Sequence, residues 1–416
     1  MKHLPISYAD WSGAEYRSAL LSLLSGGLTR GAHGAGLAAE MGASYQGASV
    51  YPVNYAHTAL EMALAAFMRR MPARTQVLVP AYVCPIVVQS IAASGLDPVP
   101  LEIADDLNLL PAAVAQALDE HGGNTLAVVA PHMFGCPARI AEIEALCRSA
   151  GVFLIDDAAQ LAGIEQEGKL LGGFGDVGLI SFAQSKTIVT GVRGSGGILL
   201  VNNPELDADI SAAFRQLPPP SGRLQALVEF LWNYLWTPVT GSSGDRLADI
   251  GARLGWRQPM SAPRQQARIG NLDAGIARVQ LQRLSQIHAD KKRIAEIYHH
   301  EFLELPEIGF PQYAPGRYLS RIMLSLPEGS DLGACRAYLH RQRIESRLGY
   351  KVPFSSQAST RKAERLATGL LGLPCGPAIG AAQVRSIRSH LQQALHLQRR
   401  GGGNGAAHAP SQSIHR

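Results

Sequence analysis

A chain of 416 residues, 46% hydrophobic and 17% charged with a formal net charge of +5, is long enough for a large domain and a smaller one, each with its own core. Its densest basic spots, Lys291-Lys292-Arg293 and Gln398-Arg399-Arg400, are short, so no nucleic-acid partner is expected. The opening MKHLPISYADW lacks the apolar core of a secretory signal, no apolar run is long enough to cross a bilayer, and the five cysteines (Cys84, Cys136, Cys147, Cys335, Cys375) form no CxxC pair; a cytoplasmic protein without a disulfide framework or a metal site is expected.

From residue 59 the sequence alternates helical and strand patterns. Helices are predicted over 59–69, 85–93, 111–121 and 139–150, and strands over 76–79, 98–101, 125–130 and 152–155. Two further strands are expected at 177–181 and 196–201. Strands separated by helices of this length predict an α/β fold with a mostly parallel sheet sandwiched by helices. From about residue 264 the pattern changes to a long amphipathic helix over 272–302, a strand near 318–326, and helices over 331–341 and 381–396, which predicts a small α+β C-terminal domain. The expected division is 1–262 for the large domain, 263–398 for the small one and 399–416 for a disordered tail. Within the first, LQALVEFLWNYLWTPV follows Pro218-Pro219-Pro220 and reads as a helical insertion near 218–260; contact with a membrane surface is the rival reading of that segment.

In open parallel sheets the ligand lies beyond the carboxyl ends of the strands. The residues there are Pro80-Ala81-Tyr82, Pro131-His132, Asp156-Asp157 and Ser181 through Lys186. A buried carboxylate and a lysine at neighbouring strand ends suit pyridoxal phosphate, which needs an amine to capture its aldehyde and an acid group to keep its pyridine nitrogen protonated. Desolvation would also depress the lysine's pKa towards neutrality. Asp157 would be the acid and Lys186 the amine. From these two residues alone, a surface lysine and a helix-capping aspartate are the better account of the pattern.

The surrounding text decides. VFLIDDAAQ (152–160), GGFGDVGLISFAQSK (172–186) and GGILLVNN (196–203) resemble, in order and spacing, the DegT/DnrJ/EryC1/StrS family, the fold-type I aminotransferases of sugar and cyclitol biosynthesis. The likeness extends through QVLVPAYVCPIVVQSIAASGLDPVPLEIAD (76–105), PHMFG (131–135), RIGNLDAGIARVQLQRL (268–284) and LPCGPAIGAAQVRSI (373–387). It implies a homodimer that uses pyridoxal 5'-phosphate to move an amino group, with glutamate as expected donor, to a keto sugar, typically one linked to a nucleotide. It also implies that Lys186 is the cofactor lysine and Asp157 the pyridinium partner, that Gln160 contacts the phenolic oxygen, and that Ser181 contacts the phosphate. Ala56, His57 and Thr58 occupy the place of the phosphate-binding helix start, and Gln266 with Arg268 that of the element reaching across the dimer.

This sequence departs from the family at Cys84, where an aromatic residue commonly stacks on the cofactor and for which Tyr82 or His132 would have to substitute; at Gln266, which replaces an asparagine; and in the longer glycine turn over 191–197. His132 reads either as a site residue or as a polar group satisfied by nearby backbone. Asp156 is expected to orient its loop and Asp176 to be structural. The glycine turn precedes a strand rather than a helix, so it fails as a nucleotide-binding fingerprint. Family dehydratases carry histidine in place of the lysine, and this chain keeps Lys186. A different reaction of the same cofactor, or a non-catalytic binding or scaffolding subunit, are the rival functions.

Overall fold

The computed structural model describes residues 3–6, 10–190, 196–220 and 265–403. The turn at 191–195, all but the first three residues of the 218–260 insertion, and the chain beyond Gly403 lie outside the described residues.

Two helices that the sequence patterns did not announce, α1 (Gly13–Leu24) and α2 (His33–Ser44), precede strand β1 (Ser49–Val53). Helix α1 starts where Ser12 and Glu15 close a capping box, the Ser12 N–H donating to Glu15 Oε2 at 2.7 Å. The alternation then runs α3 (Ala56–Arg70), β2 (Gln76–Pro80), α4 (Pro85–Ala93), β3 (Asp97–Leu101), α5 (Pro111–His121), β4 (Thr125–Pro131), α6 (Ile140–Ala150) and β5 (Phe153–Asp157). Pro85 and Pro111 open their helices, where a missing N–H costs no hydrogen bond. A small hairpin, β6 (Glu165–Gln166) with β7 (Lys169–Leu170), leads to β8 (Val177–Ser181), β9 (Gly197–Val201) and α7 (Asp207–Gln216).

The main sheet has the order β1-β9-β8-β5-β4-β2-β3. Strands β8, β5, β4, β2 and β3 are mutually parallel, and β9 runs against both β8 and β1. Val77, Val79, Val129, Ile155 and Leu179 face Leu60, Leu64 and Phe67 of α3. Their neighbours Leu78, Val128 and Leu154 face α5 and α6 through Val114, Ile140 and Ile143. Successive residues thus enter opposite cores and both faces are apolar, the pattern of a sheet covered on both sides. Each fully buried aliphatic side chain contributes about 1.5–3 kcal/mol.

The C-terminal part contains α8 (Asn271–Gln282), α9 (Leu284–Phe302), β10 (Ile322–Ser325), α10 (Leu332–Arg341), β11 (Arg347–Leu348), α11 (Arg361–Gly369), β12 (Leu370–Leu373) and α12 (Ala381–Gly403). A three-stranded sheet, β10-β12-β11, covers a core of Tyr298, Phe302, Leu324, Leu371, Ile387 and Leu391.

Three expectations change. The helix over 272–302 is two helices: Arg283 leaves helical geometry at φ −106° and ψ 8°, where Asp10 and the buried Glu15 hold its guanidinium at 3.6 and 2.5 Å. Helix α8 packs on α1 and α2, not on the C-terminal core. The strand near 318–326 shortens because the Ser320 and Arg321 N–H groups turn away to the Phe134 carbonyl, at 3.0 and 3.4 Å. The last helix continues through the first five residues assigned to the tail, beyond Gln398, which exchanges hydrogen bonds of 2.8 and 3.1 Å with the Asp331 backbone.

Candidate active site

The parallel register brings Pro131 opposite Asp157 and Asp157 opposite Leu179, so β4, β5 and β8 end side by side. Asp157, the last residue of β5, is buried, and its Oδ1 accepts the Ala159 N–H at 3.1 Å. Burial pushes its carboxyl up from the ordinary range, while the charge of Lys186 pulls the other way.

Lys186 sits in the loop after β8, and the residue before it, Ser185, takes a left-handed conformation at φ 59°. A serine held there marks a turn imposed by its surroundings. The residues after the lysine are clamped. Thr187 Oγ1 donates to the Gln160 carbonyl at 3.2 Å and shares a hydrogen bond of 2.9 Å with the Tyr318 hydroxyl. Val189 exchanges two hydrogen bonds with the Gln280 side chain, 2.7 and 3.1 Å, and accepts a third from Trp11 Nε1 at 2.7 Å. Burial lowers the Lys186 pKa to about 8, helped by the nearby charge of Arg321 and opposed by Cys84 and Asp157.

Beside this loop, helix α3 begins at Ala56 with no side-chain cap from Tyr55. Its first turn carries N–H groups and the positive end of the helix dipole. Strand β9 passes close by: a Cβ on Gly197 would lie 2.7 Å from the Ala56 nitrogen. Ser181, opposite Gly197 at the end of β8, is buried, and its Oγ accepts the Ala183 N–H at 3.4 Å.

The C-terminal part supplies a wall that the sequence reading missed. Ser320 donates to Gln160 Oε1 at 3.1 Å. The Arg321 guanidinium lies over the rings of Phe134 and Tyr350, at 5.7 and 5.6 Å, and Tyr350 neighbours Cys84. A charged residue inside the apolar run LSRIML was the available signal.

Tyr82 and His132 do not substitute for a stacking aromatic residue, because neither has any exposed surface. The Tyr82 hydroxyl accepts the Tyr350 N–H at 2.9 Å, and its ring packs against Phe134 and Tyr350. His132 Nδ1 accepts the Ala138 N–H at 2.9 Å, which leaves Nε2–H to donate to Asp156 at 2.8 Å. Of the two roles open for His132, this is the satisfied polar group. Asp156 also accepts from the Gly172 and Phe174 N–H groups, at 2.6 and 3.0 Å, fixing the loop before β8. Asp176 does likewise for Leu154 and Asn203, both at 2.8 Å. Gln266 donates to Glu61 on α3, and Arg268 donates to the Arg215 carbonyl at 2.7 Å while stacking on Phe214 at 5.2 Å. Within one chain both are thus held against α3 and the end of α7.

Known proteins resemble this arrangement over most of its length. A UDP-N-acetyl-3-dehydro-alpha-D-glucosamine 3-aminotransferase of Acidithiobacillus ferrooxidans is 25% identical over 329 residues, 77% of this chain and 78% of its own. The dTDP-3-amino-3,4,6-trideoxy-alpha-D-glucose transaminase of Streptomyces venezuelae is 26% identical over 364 residues, 85% and 84% of the two chains. Among solved structures, Helicobacter pylori PseC, an aminotransferase involved in the biosynthesis of pseudoaminic acid, shares the fold with a TM-score of 0.76 at 17% identity, over 95% of this chain and all of the other. Residues 13–392 match the family itself, and the chain therefore belongs to the DegT/DnrJ/EryC1/StrS aminotransferase family and is a pyridoxal-phosphate-dependent aminotransferase.

Proposed function

We propose that the enzyme transfers the amino group of glutamate to the carbonyl of a keto sugar carried on a nucleotide. The observation that carries this reading is the pairing of buried Asp157 with Lys186, a lysine whose surroundings bring it near neutrality. The acceptor class is supported by the two relatives, both named for nucleotide-linked sugars.

The residues present fit the cofactor: a buried carboxylate, a desolvated lysine, and a helix start left without a side-chain cap beside a strand that only glycine lets approach. Pyridoxal phosphate, when bound, supplies an aldehyde that condenses with amines and a pyridine ring that takes up an electron pair. Lys186 would hold the cofactor through Nζ and, once freed by the donor amine, would take up and return the proton of the substrate carbon as general base and acid. Asp157 would keep a proton on the pyridine nitrogen. Gln160, whose Oε1 is occupied by Ser320, has its amide N–H groups left to donate to the phenolic oxygen. Ser181 and the N–H groups of Ala56 and His57 would hold the phosphate.

We further propose a homodimer with Gln266 and Arg268 near its interface, and a cytoplasmic location. The dimer is supported by Tyr16, Leu20, Leu21 and Leu24, large apolar residues exposed on α1. No described helix is long and apolar enough to cross a membrane. Large and small domains are proposed to meet at Arg283, after α8, rather than at residue 262.

The test is the visible absorption spectrum of the protein with pyridoxal phosphate, before and after glutamate, beside Lys186→Ala. The expected result is a yellow band that glutamate bleaches and that the variant lacks. A wild-type protein that forms no band would overturn the proposal.

A further inference from the structure

Lys186 lies between a strained residue and a clamped one. Ser185, before it, holds the left-handed conformation at φ 59°, which a serine keeps only where its surroundings enforce it. Thr187, after it, is buried and tied to two other parts of the chain: its Oγ1 donates to the Gln160 carbonyl at 3.2 Å and lies 2.9 Å from the Tyr318 hydroxyl. A threonine hydroxyl has a single proton. The Gln160 carbonyl can only accept, so that proton goes to it and the Tyr318 hydroxyl is the donor to Thr187. Burial pushes the Tyr318 hydroxyl pKa well up, so this donor keeps its proton at neutral pH.

Tyr318 belongs to the segment that enters β10, yet it lies in the core of the main sheet that contains Leu154, Ala158 and Leu161. Its ring meets the imidazole of His288 edge-on, with 5.2 Å between centroids, and only 2% of the residue is exposed. A phenylalanine would fill that core with no buried donor to satisfy. The hydroxyl is therefore explained by what it reaches, and it reaches the residue next to the cofactor lysine. Two residues further on, the Ser320 hydroxyl takes the Gln160 side chain at 3.1 Å. One segment of the C-terminal part thus grips the loops after β5 and β8, and Thr187 ties those loops to each other.

We infer that Tyr318 is a positioning residue for Lys186: through Thr187, its hydroxyl holds the lysine loop against the loop that carries Gln160, so that amine and amide address one cofactor in a fixed relation. Proton transfer by a positioned amine is sensitive to small displacements, because the reacting atoms must be held near contact. The effect of Tyr318 accordingly falls on the rate at which Lys186 moves a proton and not on the affinity for the amino donor. The assignment rests on the aminotransferase function proposed above and extends it to a residue of the C-terminal part.

The experiment compares wild type, Tyr318→Phe, Thr187→Val and the double variant. In the cofactor-free proteins it measures Tm and the hydrogen–deuterium exchange of the peptide covering residues 183–190. After loading with pyridoxal phosphate, bleaching of the yellow band by glutamate gives a maximal rate and a half-saturating concentration. Tyr318→Phe should speed exchange in that peptide and lower the maximal rate about threefold to tenfold, the effect of one neutral hydrogen bond, with half-saturating glutamate unchanged. Thr187→Val strands the Tyr318 hydroxyl and should have the lowest Tm; adding Tyr318→Phe removes the stranded donor and should restore part of it. The maximal rate of the double variant should nevertheless stay no higher than that of Thr187→Val, because the two hydroxyls act as one unit. A rate that recovers together with Tm would make the pair merely structural and overturn the positioning role. So would wild-type exchange or a wild-type maximal rate in Tyr318→Phe, and either result leaves the function standing. A wild type without a band would overturn the function itself, and this role with it.

Discussion

The Ser320 hydroxyl donates to Gln160 Oε1 at 3.1 Å, joining the loop after β5 to the segment that enters β10. This bond fixes which end of the Gln160 amide meets the acceptor side of its surroundings. Replacing Ser320 by alanine frees the amide to rotate, and cofactor affinity should fall about threefold to tenfold, the worth of one neutral hydrogen bond. Absorbance titration with pyridoxal phosphate measures it; an unchanged affinity would show that Gln160 is oriented from elsewhere.

Burial, aided by Arg321, lowers the Lys186 pKa to about 8 from 10.5 in the free side chain. Only the neutral amine captures an aldehyde. The rate at which cofactor-free protein takes up pyridoxal phosphate should therefore rise with pH and level off above about 8 instead of continuing to climb towards 10.5. Asp157→Asn removes a charge that favours the ammonium form, so its profile should move to lower pH; Arg321→Gln removes an opposing one and should move it higher. Stopped-flow absorbance across pH separates the three curves.

Gly197 lies where β9 crosses the start of α3. An alanine there would bring Cβ to 2.7 Å from Ala56 N and 2.9 Å from Ile180 O, both backbone atoms. Overpacking of this kind costs about 1–3 kcal/mol, read as a lower Tm, and it should weaken cofactor binding as well because the helix start is displaced. Gly123→Ala is the control, since its Cβ would meet nothing within 4 Å.

His132→Phe leaves the buried Asp156 without the imidazole N–H at 2.8 Å and the Ala138 N–H without its acceptor at 2.9 Å. A loss of about 2–3 kcal/mol in unfolding free energy is expected for a hydrogen bond to a charged group. Combining it with Asp156→Asn should cost less than the sum of the two, because the residues share one network. Denaturant melts of the four proteins close the cycle, and strict additivity would contradict the pairing.

The strands and helices between residues 56 and 157 were legible because period-2 and period-3.6 patterns alternate there and both sheet faces are apolar. Lys186, Asp157, Gln160 and Ser181 were legible because all four lie within about thirty residues, inside continuous text. Arg321 and Tyr350 were not, since what places them is the Phe134 carbonyl and the neighbourhood of Cys84, residues far from them in sequence. Arg283 was hidden for the same reason: amphipathic periodicity runs straight through it, and only the folded positions of Asp10 and Glu15 explain the break. α1 escaped notice because Leu20, Leu21 and Leu24 stand exposed among its apolar residues and blur any single stripe.

Leu4 pairs with Ile344 as an isolated bridge, donating to the Arg343 carbonyl at 2.9 Å and accepting from Glu345 at 3.0 Å, and its side chain enters the C-terminal core. A segment that precedes the main sheet in sequence thus completes a unit whose other parts follow that sheet. Closing so long a loop carries a large entropic cost before any contact rewards it. The docking of this short segment is accordingly expected late in folding, so that it closes the C-terminal core over a main sheet already formed.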